Sequence, residues 1–309
     1  MSAAATADLT GRTALVTGGT GGMGRVLTTE LARAGAHVVT TSRDPDRGEA
    51  LRQRIAREIG ADRVEVLTGD LAARADLHRL AAELAARHDA LHLLVNNAGA
   101  HFRERRLTVD GVEAHLAVNH LAGFTLTHHL ADRLLAAGEA RVVNVVSAAM
   151  SDARRVPVPR LGRPRPVSPD LSAVRDVRDI NPAEGYAPFT AYARAKLLAT
   201  ITGYGFAERW RDTGVTVNAV HPGIVSTGIV DDLVPAVLSP FRSVIHRRLL
   251  TPEQGAAAAL RLATDPDLTT TTGRYYVRDR EARSPDTSYD PAIRATAWRL
   301  SLAWATAAP

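Results

Sequence analysis

Short apolar runs alternate with stretches of helical period along most of this chain, and that rhythm restricts its fold more than any other feature. The runs are Thr13–Thr17, His37–Thr41, Val64–Leu67, Leu91–Val95, Arg141–Val146, Val215–Val220 and Arg274–Val277. Several are continuously apolar instead of alternating, the pattern of strands covered on both faces. Helices are expected between them, from Gly24 through Ala34, from about Gly48 to Ile59, and over 76–87, where Leu77, Leu80, Ala81 and Leu84 share one face. Strands that alternate with helices build an α/β fold around a doubly wound parallel sheet. Right-handed crossovers then place ligands at the carboxyl ends of the strands. The chain has 309 residues, 45% of them hydrophobic and 23% charged, enough to bury a full core. No repeat and no domain-sized linker interrupts it, so a single domain over 1–309 is expected, with its core at about 10–280.

Two stretches break the rhythm. Residues 151–187 are rich in Pro and Arg, as in Arg154-Arg155-Val156-Pro157-Val158-Pro159-Arg160. Proline removes backbone donors and fixes φ, so this is an extended loop-like insertion. Loops of such length are uncommon unless functional or disordered. The second stretch, about 228–250, carries apolar residues of mixed period before a helix restarts at Thr251-Pro252-Glu253, as a lid over a pocket would.

Composition removes several classes of function. Cysteine is absent, which excludes disulfides, thiolate metal sites and a Cys nucleophile and fits a reducing, cytoplasmic compartment. Residues 1–10 lack the basic-then-apolar order of a signal peptide, and no apolar run is long enough to span a membrane. The formal charge of +5 comes from scattered Arg interleaved with acids, so nucleic acid is not an expected partner. His115, His120, His128 and His129 lie near one helix without carboxylate or Cys partners at ligand spacing. They read as surface or core histidines, and no metal is expected.

The segment Thr17-Gly18-Gly19-Thr20-Gly21-Gly22-Met23-Gly24 follows the first strand and opens the first helix. Glycines there permit a tight turn and close backbone approach, so that a pyrophosphate can rest on the helix N-terminus. A dinucleotide site is the expectation. The end of the second strand selects the cofactor. An acidic residue would bind the adenosine ribose of NAD, but Ser42 and Arg43 stand there, favouring the 2′-phosphate of NADP(H). Asp44 offers the ribose a carboxylate instead, if it turns that way.

Tyr192 and Lys196 are four positions apart in Ala191-Tyr192-Ala193-Arg194-Ala195-Lys196. On a helix that offset puts both side chains on one face, where an ammonium can favour the ionised form of a phenol. A shift of two to three units from ~10 needs roughly 3–4 kcal/mol, within reach of a cation in a partly dry cleft. The same spacing also describes ordinary surface neighbours.

Taken in order, these features resemble the short-chain dehydrogenases/reductases over about Thr10 to Val277. The landmarks are Thr17–Gly24, Asp70-Leu71, Asn96-Asn97-Ala98-Gly99, Asn119, Ser147, Tyr192/Lys196 and His221-Pro222-Gly223. The chain looks most like the retinol dehydrogenase-like branch, which also holds relatives of protochlorophyllide reductase and the WW-domain oxidoreductases. The likenesses are Ser42-Arg43-Asp44, Leu107–Glu113, Val118-Asn119-His120-Leu121 and the long segment before Tyr192.

The resemblance implies a Rossmann-type oxidoreductase that interconverts an alcohol with its ketone or aldehyde. Tyr192 would be the general acid/base, Ser147 would hold the reacting oxygen, and Lys196 would lower the Tyr192 pKa and bind the nicotinamide ribose. Asn119 would anchor a water linking Lys196 to solvent. Gly18, Thr20, Gly22, Met23 and Gly24 would take the pyrophosphate, Ser42 and Arg43 the adenosine end, and Asp70 with Leu71 the adenine. Asn96, Ala98 and Gly99 would line the adenosine ribose side, and Pro222, Gly223, Ile224 and Thr227 would wrap the nicotinamide. Val225, Ile229, Val230, Leu233, Val234 and Leu238 suggest an apolar small-molecule substrate. Members of the family commonly pair through the helices that carry Asn119 and Tyr192, which implies a homodimer or homotetramer. Two alternatives share the fold. One is a dinucleotide-sensing protein without turnover, although such proteins typically lose Tyr or Lys. The other is a protochlorophyllide reductase-like C=C reductase, whose active-site cysteine is missing here. The departures are Ala195 before the Lys, Val146 before Ser147, and the long basic insertion between Ser147 and Tyr192.

Overall fold

The computed structural model describes residues 7–150, 171, 174–226 and 249–308. Most of the insertion at 151–187, nearly all of the lid at about 228–250 with its residues Ile229, Val230, Leu233, Val234 and Leu238, and Thr227 lie outside the described residues.

The first half is β1 (Thr13–Val16), α1 (Gly22–Arg33), β2 (His37–Ser42), α2 (Pro45–Ile59), β3 (Val64–Thr68), α3 (Arg74–Arg87) and β4 (Leu93–Asn96). Next come α4 (Ala114–Leu116), a π-helical turn (Ala117–Leu121), α5 (Ala122–His129), α6 (Ala131–Ala136) and β5 (Ala140–Val145). The rest is α7 (Pro188–Arg209), β6 (Val215–His221), α8 (Pro252–Thr264), β7 (Tyr275–Val277), β8 (Arg280–Ala282) and α9 (Pro291–Thr306).

The strands form one sheet in the order β3-β2-β1-β4-β5-β6-β7-β8, parallel except for β8, which pairs antiparallel with β7. The order reverses between β1 and β4, where Val16 lies beside Val95, and this is the point at which such sheets open a crevice. Continuous burial of β4 and β6 follows from helices on both faces. On one face, Val26, Leu27 and Leu31 of α1 share a core with Leu51 and Ile55 of α2 and with Ala256, Ala259 and Leu262 of α8. On the other, Leu77 and Leu84 of α3 share a core with Leu126 of α5 and with Leu197 and Ile201 of α7. The outermost helix, α9, packs onto α5 and α7 through Leu300 and Trp304.

Local chemistry sets the helix boundaries. Thr251 and Gln254 form a reciprocal capping box at α8, and Gly60 ends α2 in the left-handed region at φ 71°. The strand β8 and the helix α9 are not expected from the sequence reading. The three residues of β8, Arg-Glu-Ala, lack apolar alternation, and α9 follows the region in which strand–helix alternation is legible. The described end of the insertion is more than a surface loop. Leu171, Val177 and Ile180 are buried in the main core. Among the described residues, no helix is long and apolar enough to cross a membrane.

Candidate active site

The carboxyl ends of the strands open into one cleft of about 1130 Å³. Gly18, Thr20, Gly22, Met23 and Gly24 line it after β1; Ser42 and Arg43 after β2; Asp70 and Leu71 after β3; Ala98 and Gly99 after β4. Ser147, Tyr192, Lys196, Pro222, Gly223 and Ile224 complete the same cleft beyond the switch point. Asn96 and Asn119 do not line it. They line a small cavity of about 20 Å³ directly behind, together with Lys196.

The glycine turn is built for a dinucleotide. A Cβ on Gly24 would strike the Gly18 carbonyl oxygen, so the first turn of α1 can close onto β1 only without a side chain there. At Gly21, the N-cap of α1, a Cβ would meet nothing within 4 Å, and no side chain caps the helix. The uncapped N–H groups of α1 therefore open into the cleft, where a diphosphate fits. Asn97 Nδ2 donates to Thr17 O at 2.9 Å and Ala98 N to Thr17 Oγ1 at 2.9 Å, which fixes the β4 turn against the glycine turn.

At the adenosine end the ambiguity over Asp44 disappears. Its Oδ1 accepts from Asp46 N at 3.0 Å and Arg47 N at 3.2 Å, capping α2. Ser42 Oγ donates to Asp44 O at 2.6 Å. Arg43 is exposed, lines the cleft and pairs with no carboxylate among the described residues.

At the other end, Tyr192 and Lys196 share one face of α7, both nearly fully buried. Burial pushes the Tyr192 hydroxyl up to about 12, against a hydrogen bond with Ser147 that pulls it down. Burial pushes the Lys196 ammonium down to about 8, and its Nζ donates to Val145 O at 2.9 Å. The direction for Tyr192 is thus opposite to the one that the Tyr–Lys spacing suggests. Within the protein alone, desolvation sets that direction. Ser147 Oγ also accepts from Ala149 N at 3.2 Å, which holds its strand-end turn.

Asn119 sits in the π-helical turn, a single widened turn of a kind often found at functional sites. Its Nδ2 donates to Ala100 O at 2.9 Å and His115 O at 3.0 Å, and its Oδ1 accepts from Ala100 N at 3.1 Å. Asn96 turns from the cleft toward Thr127 Oγ1 at 3.1 Å and Asn144 Oδ1 at 2.9 Å, leaving its own Oδ1 without a protein partner.

Sequence reasoning misses two groups here. One is a buried network behind Tyr192. Phe102 N donates to His115 Nε2 at 2.9 Å, so the imidazole proton sits on Nδ1 and is donated to Glu113 Oε1 at 2.8 Å. Tyr186 OH donates to the same oxygen at 2.8 Å, and the His115 ring meets Tyr192 edge-on at 6.2 Å. The other is His101, two residues beyond Gly99, buried against Tyr192 with ring centroids 5.9 Å apart. Its position just past the carboxyl end of β4 is the signal that could have found it. Away from the cleft, His37, Glu65 and His88 bring ligand-type atoms within 4.8 Å of one another. Spacing alone does not reveal that grouping, which draws on three separate elements. Of the four histidines read as surface or core, His115 and His120 are core residues.

Comparisons with known proteins agree with this geometry. Residues 12–157 match the family model described as short chain dehydrogenase. The chain is 31% identical to the polyprenol dehydrogenase of Danio rerio, over 95% of this chain and 86% of that protein. It is 34% identical to retinol dehydrogenase 12 of Bos taurus, over 87% of this chain and 78% of that protein. Among solved structures, an uncharacterized protein from Mycobacterium paratuberculosis superposes with a TM-score of 0.73 at 26% identity, covering 99% of this chain and 97% of that one. A protein from Beutenbergia cavernae, described as a candidate NAD(P) dependent gluconate 5-dehydrogenase with NADP bound at low occupancy, gives 0.65 at 27% identity, covering 88% of this chain and 96% of that one. With a doubly wound sheet, a glycine turn opening on its crevice and relatives of this similarity along nearly its whole length, the chain belongs to the short-chain dehydrogenase/reductase family of oxidoreductases, in its retinol dehydrogenase-like branch.

Proposed function

We propose that this protein is an NADP(H)-dependent oxidoreductase that interconverts an alcohol and its ketone or aldehyde on an apolar small molecule. The observation that carries the reading is the meeting of Ser147, Tyr192 and Lys196 in the cleft that begins at the glycine turn. The uncapped α1 terminus and the open space at Gly21 fit a dinucleotide, with Gly18, Thr20, Gly22, Met23 and Gly24 at the diphosphate and Pro222, Gly223 and Ile224 beside the nicotinamide. Arg43, exposed along the cleft and without a carboxylate partner among the described residues, suits a 2′-phosphate, while Asp44 is engaged in capping. A nicotinamide bound here supplies the hydride.

The chain's own residues manage the oxygen and its proton. Burial keeps the Tyr192 hydroxyl protonated at neutral pH, so it holds the proton that a carbonyl oxygen needs, and a positive charge at Lys196 favours releasing it. Ser147 holds the same oxygen in place. Lys196 binds the nicotinamide ribose and keeps a positive charge beside the phenol as its proton leaves. The 20 Å³ cavity shared by Lys196, Asn119 and Asn96 has room for one water, and the unpartnered Asn96 Oδ1 offers it an acceptor. Such a water supports Asn119 as part of a proton path to Lys196.

The apolar substrate is supported by Phe102, Leu107, Val109, Phe189 and Val225 along the cleft. Two relatives are named for polyprenol and retinol, both alcohols on apolar chains. The test is NADPH consumption, with NADH in parallel, across aldehydes, ketones, retinoids, steroids and quinones. A Tyr192→Phe protein with full reductase activity would overturn the mechanism. Tight NADPH binding without turnover of any carbonyl would point to a dinucleotide sensor.

A further inference from the structure

We propose that His101 is a specificity-determining residue, whose imidazole hydrogen-bonds a second oxygen, hydroxyl or carbonyl, carried by the substrate a few bonds from the reacting carbonyl. The inference rests on the reading of the cleft as a carbonyl-reducing site.

His101 is 6% exposed and lines the cleft beside Tyr192. Both of its ring nitrogens lack a hydrogen-bond partner among the described residues. Of the other buried histidines, His221 has one buried nitrogen without a partner, whereas His115 and His120 put ring nitrogens to use. Those of His115 bind Phe102 N and Glu113, and His120 Nε2 meets Ser301 Oγ at 2.8 Å. An unpaired buried polar group costs about 1–3 kcal/mol, so a ring with two of them needs a reason. A partner brought by the substrate supplies it.

The chemistry of the ring narrows that partner. Burial, with the neighbouring His115 and Arg103, pushes His101 down to about 4, so the ring is neutral in the physiological range. A neutral imidazole has one N–H and one lone pair, which match a hydroxyl or a carbonyl and give no charge to attract an anion. The cleft that it lines also carries Phe102, Ala149 and Phe189, which suit an apolar skeleton. The favoured substrate class is therefore an apolar skeleton with two nearby oxygens, as in a hydroxyketone or diketone. A skeleton with one oxygen leaves His101 unpaired and is discriminated against.

His101 also packs edge-on against Tyr192 and against His115, at 5.9 and 5.1 Å between centroids, so a purely structural role has to be separated. His101→Phe keeps an aromatic edge there and removes both nitrogens. His101→Gln keeps donor and acceptor and removes the ring. The experiment measures kcat/KM with NADPH for 2-decanone, 3-hydroxy-2-decanone and 2,3-decanedione in wild type and both variants. Intrinsic differences in carbonyl reactivity cancel when each protein's preference is compared with that of wild type. The expected result is a fall of about 10- to 100-fold in the preference for the dioxygenated substrates in His101→Phe, with most of it restored in His101→Gln. An unchanged preference in His101→Phe overturns the inference and leaves the proposed function standing. Equal losses in both variants assign His101 to packing and overturn it as well. A wild-type protein that reduces other carbonyls but none of the three overturns the inference alone, whereas one that binds NADPH and reduces no carbonyl of the broad panel removes the proposed function, and the inference with it.

Discussion

Replacing Glu113 with Gln tests how much the buried network behind Tyr192 stabilises the fold. The carboxylate is 1% exposed and accepts from five donors: His115 N at 3.0 Å, His115 Nδ1 at 2.8 Å, Tyr186 OH at 2.8 Å, Leu116 N at 3.2 Å and Asn181 Nδ2 at 2.7 Å. All five are donors, so the amide NH₂ of Gln must face at least one of them however it is turned. Burial pushes the Glu113 carboxyl up, but the hydrogen bonds from His115 and Tyr186 outweigh it and hold the group at about 2 against an ordinary 4.5. At ~1.4 kcal/mol per unit the ionised form is favoured by about 3 kcal/mol, of the same order as several charge-assisted hydrogen bonds. Because the folded pKa is depressed, this stability is present above pH ~4.5 and is lost as pH falls toward about 2. Glu113→Gln should therefore lower Tm by roughly 6–12 °C at pH 7.5, at ~2–4 °C per kcal/mol. The gap from wild type should narrow below pH ~4.5. Thermal melts followed by circular dichroism from pH 7.5 to 3 read both effects. A shift under about 2 °C at pH 7.5, or a gap that stays constant to pH 3, would refute the reasoning.

Tyr192→Phe should lower kcat for carbonyl reduction by about 10²- to 10⁴-fold with little change in NADPH affinity, read by turnover and by cofactor fluorescence. Arg43→Ala should weaken NADPH binding about 5- to 30-fold and NADH binding less than twofold, since an exposed guanidinium–phosphate contact is worth ~1–2 kcal/mol. Equal losses for both cofactors would sink that assignment. Asp44→Ala removes the α2 cap and should cost ~0.5–2 kcal/mol in a denaturant melt while leaving the NADPH-to-NADH preference unchanged. The kcat/KM for reduction should fall as pH rises through about 8, where Lys196 loses its proton, and Lys196→Met should abolish that limb of the profile.

Legibility differs sharply between local and distant features. The strands could be read because Val and Leu runs such as Leu93–Val95 are buried on both faces, which leaves a compositional trace. The glycine turn could be read because closing α1 onto β1 leaves no room for a Cβ at Gly24. Tyr192 and Lys196 share a face by helical geometry alone. Their electrostatics could not be read, since both shifts are set by a desolvation that depends on the whole fold. Asp44 was ambiguous because carboxylates at strand ends serve ribose and helix caps equally well, and only the path into α2 decides. The network of Glu113, His115, Asn181 and Tyr186 joins residues up to 73 positions apart, and no local pattern announces it. The final helix escaped because its buried residues, Ala297, Leu300, Ser301, Trp304 and Ala305, include too few large apolar side chains to stand out in sequence.

That final helix has a consequence for assembly. The resemblance implies pairing of two copies through the helices that carry Asn119 and Tyr192. In this chain α9 lies over α5 and α7, and Trp298 packs against Phe124 and Phe206, with the Arg209 guanidinium 3.5 Å from its ring centroid. A second copy approaching that side meets a helix of the same chain instead of an open aromatic surface. Within one chain α9 backs the helix that carries Tyr192, so removing α9 should uncover Phe124 and Phe206 and loosen that helix from behind.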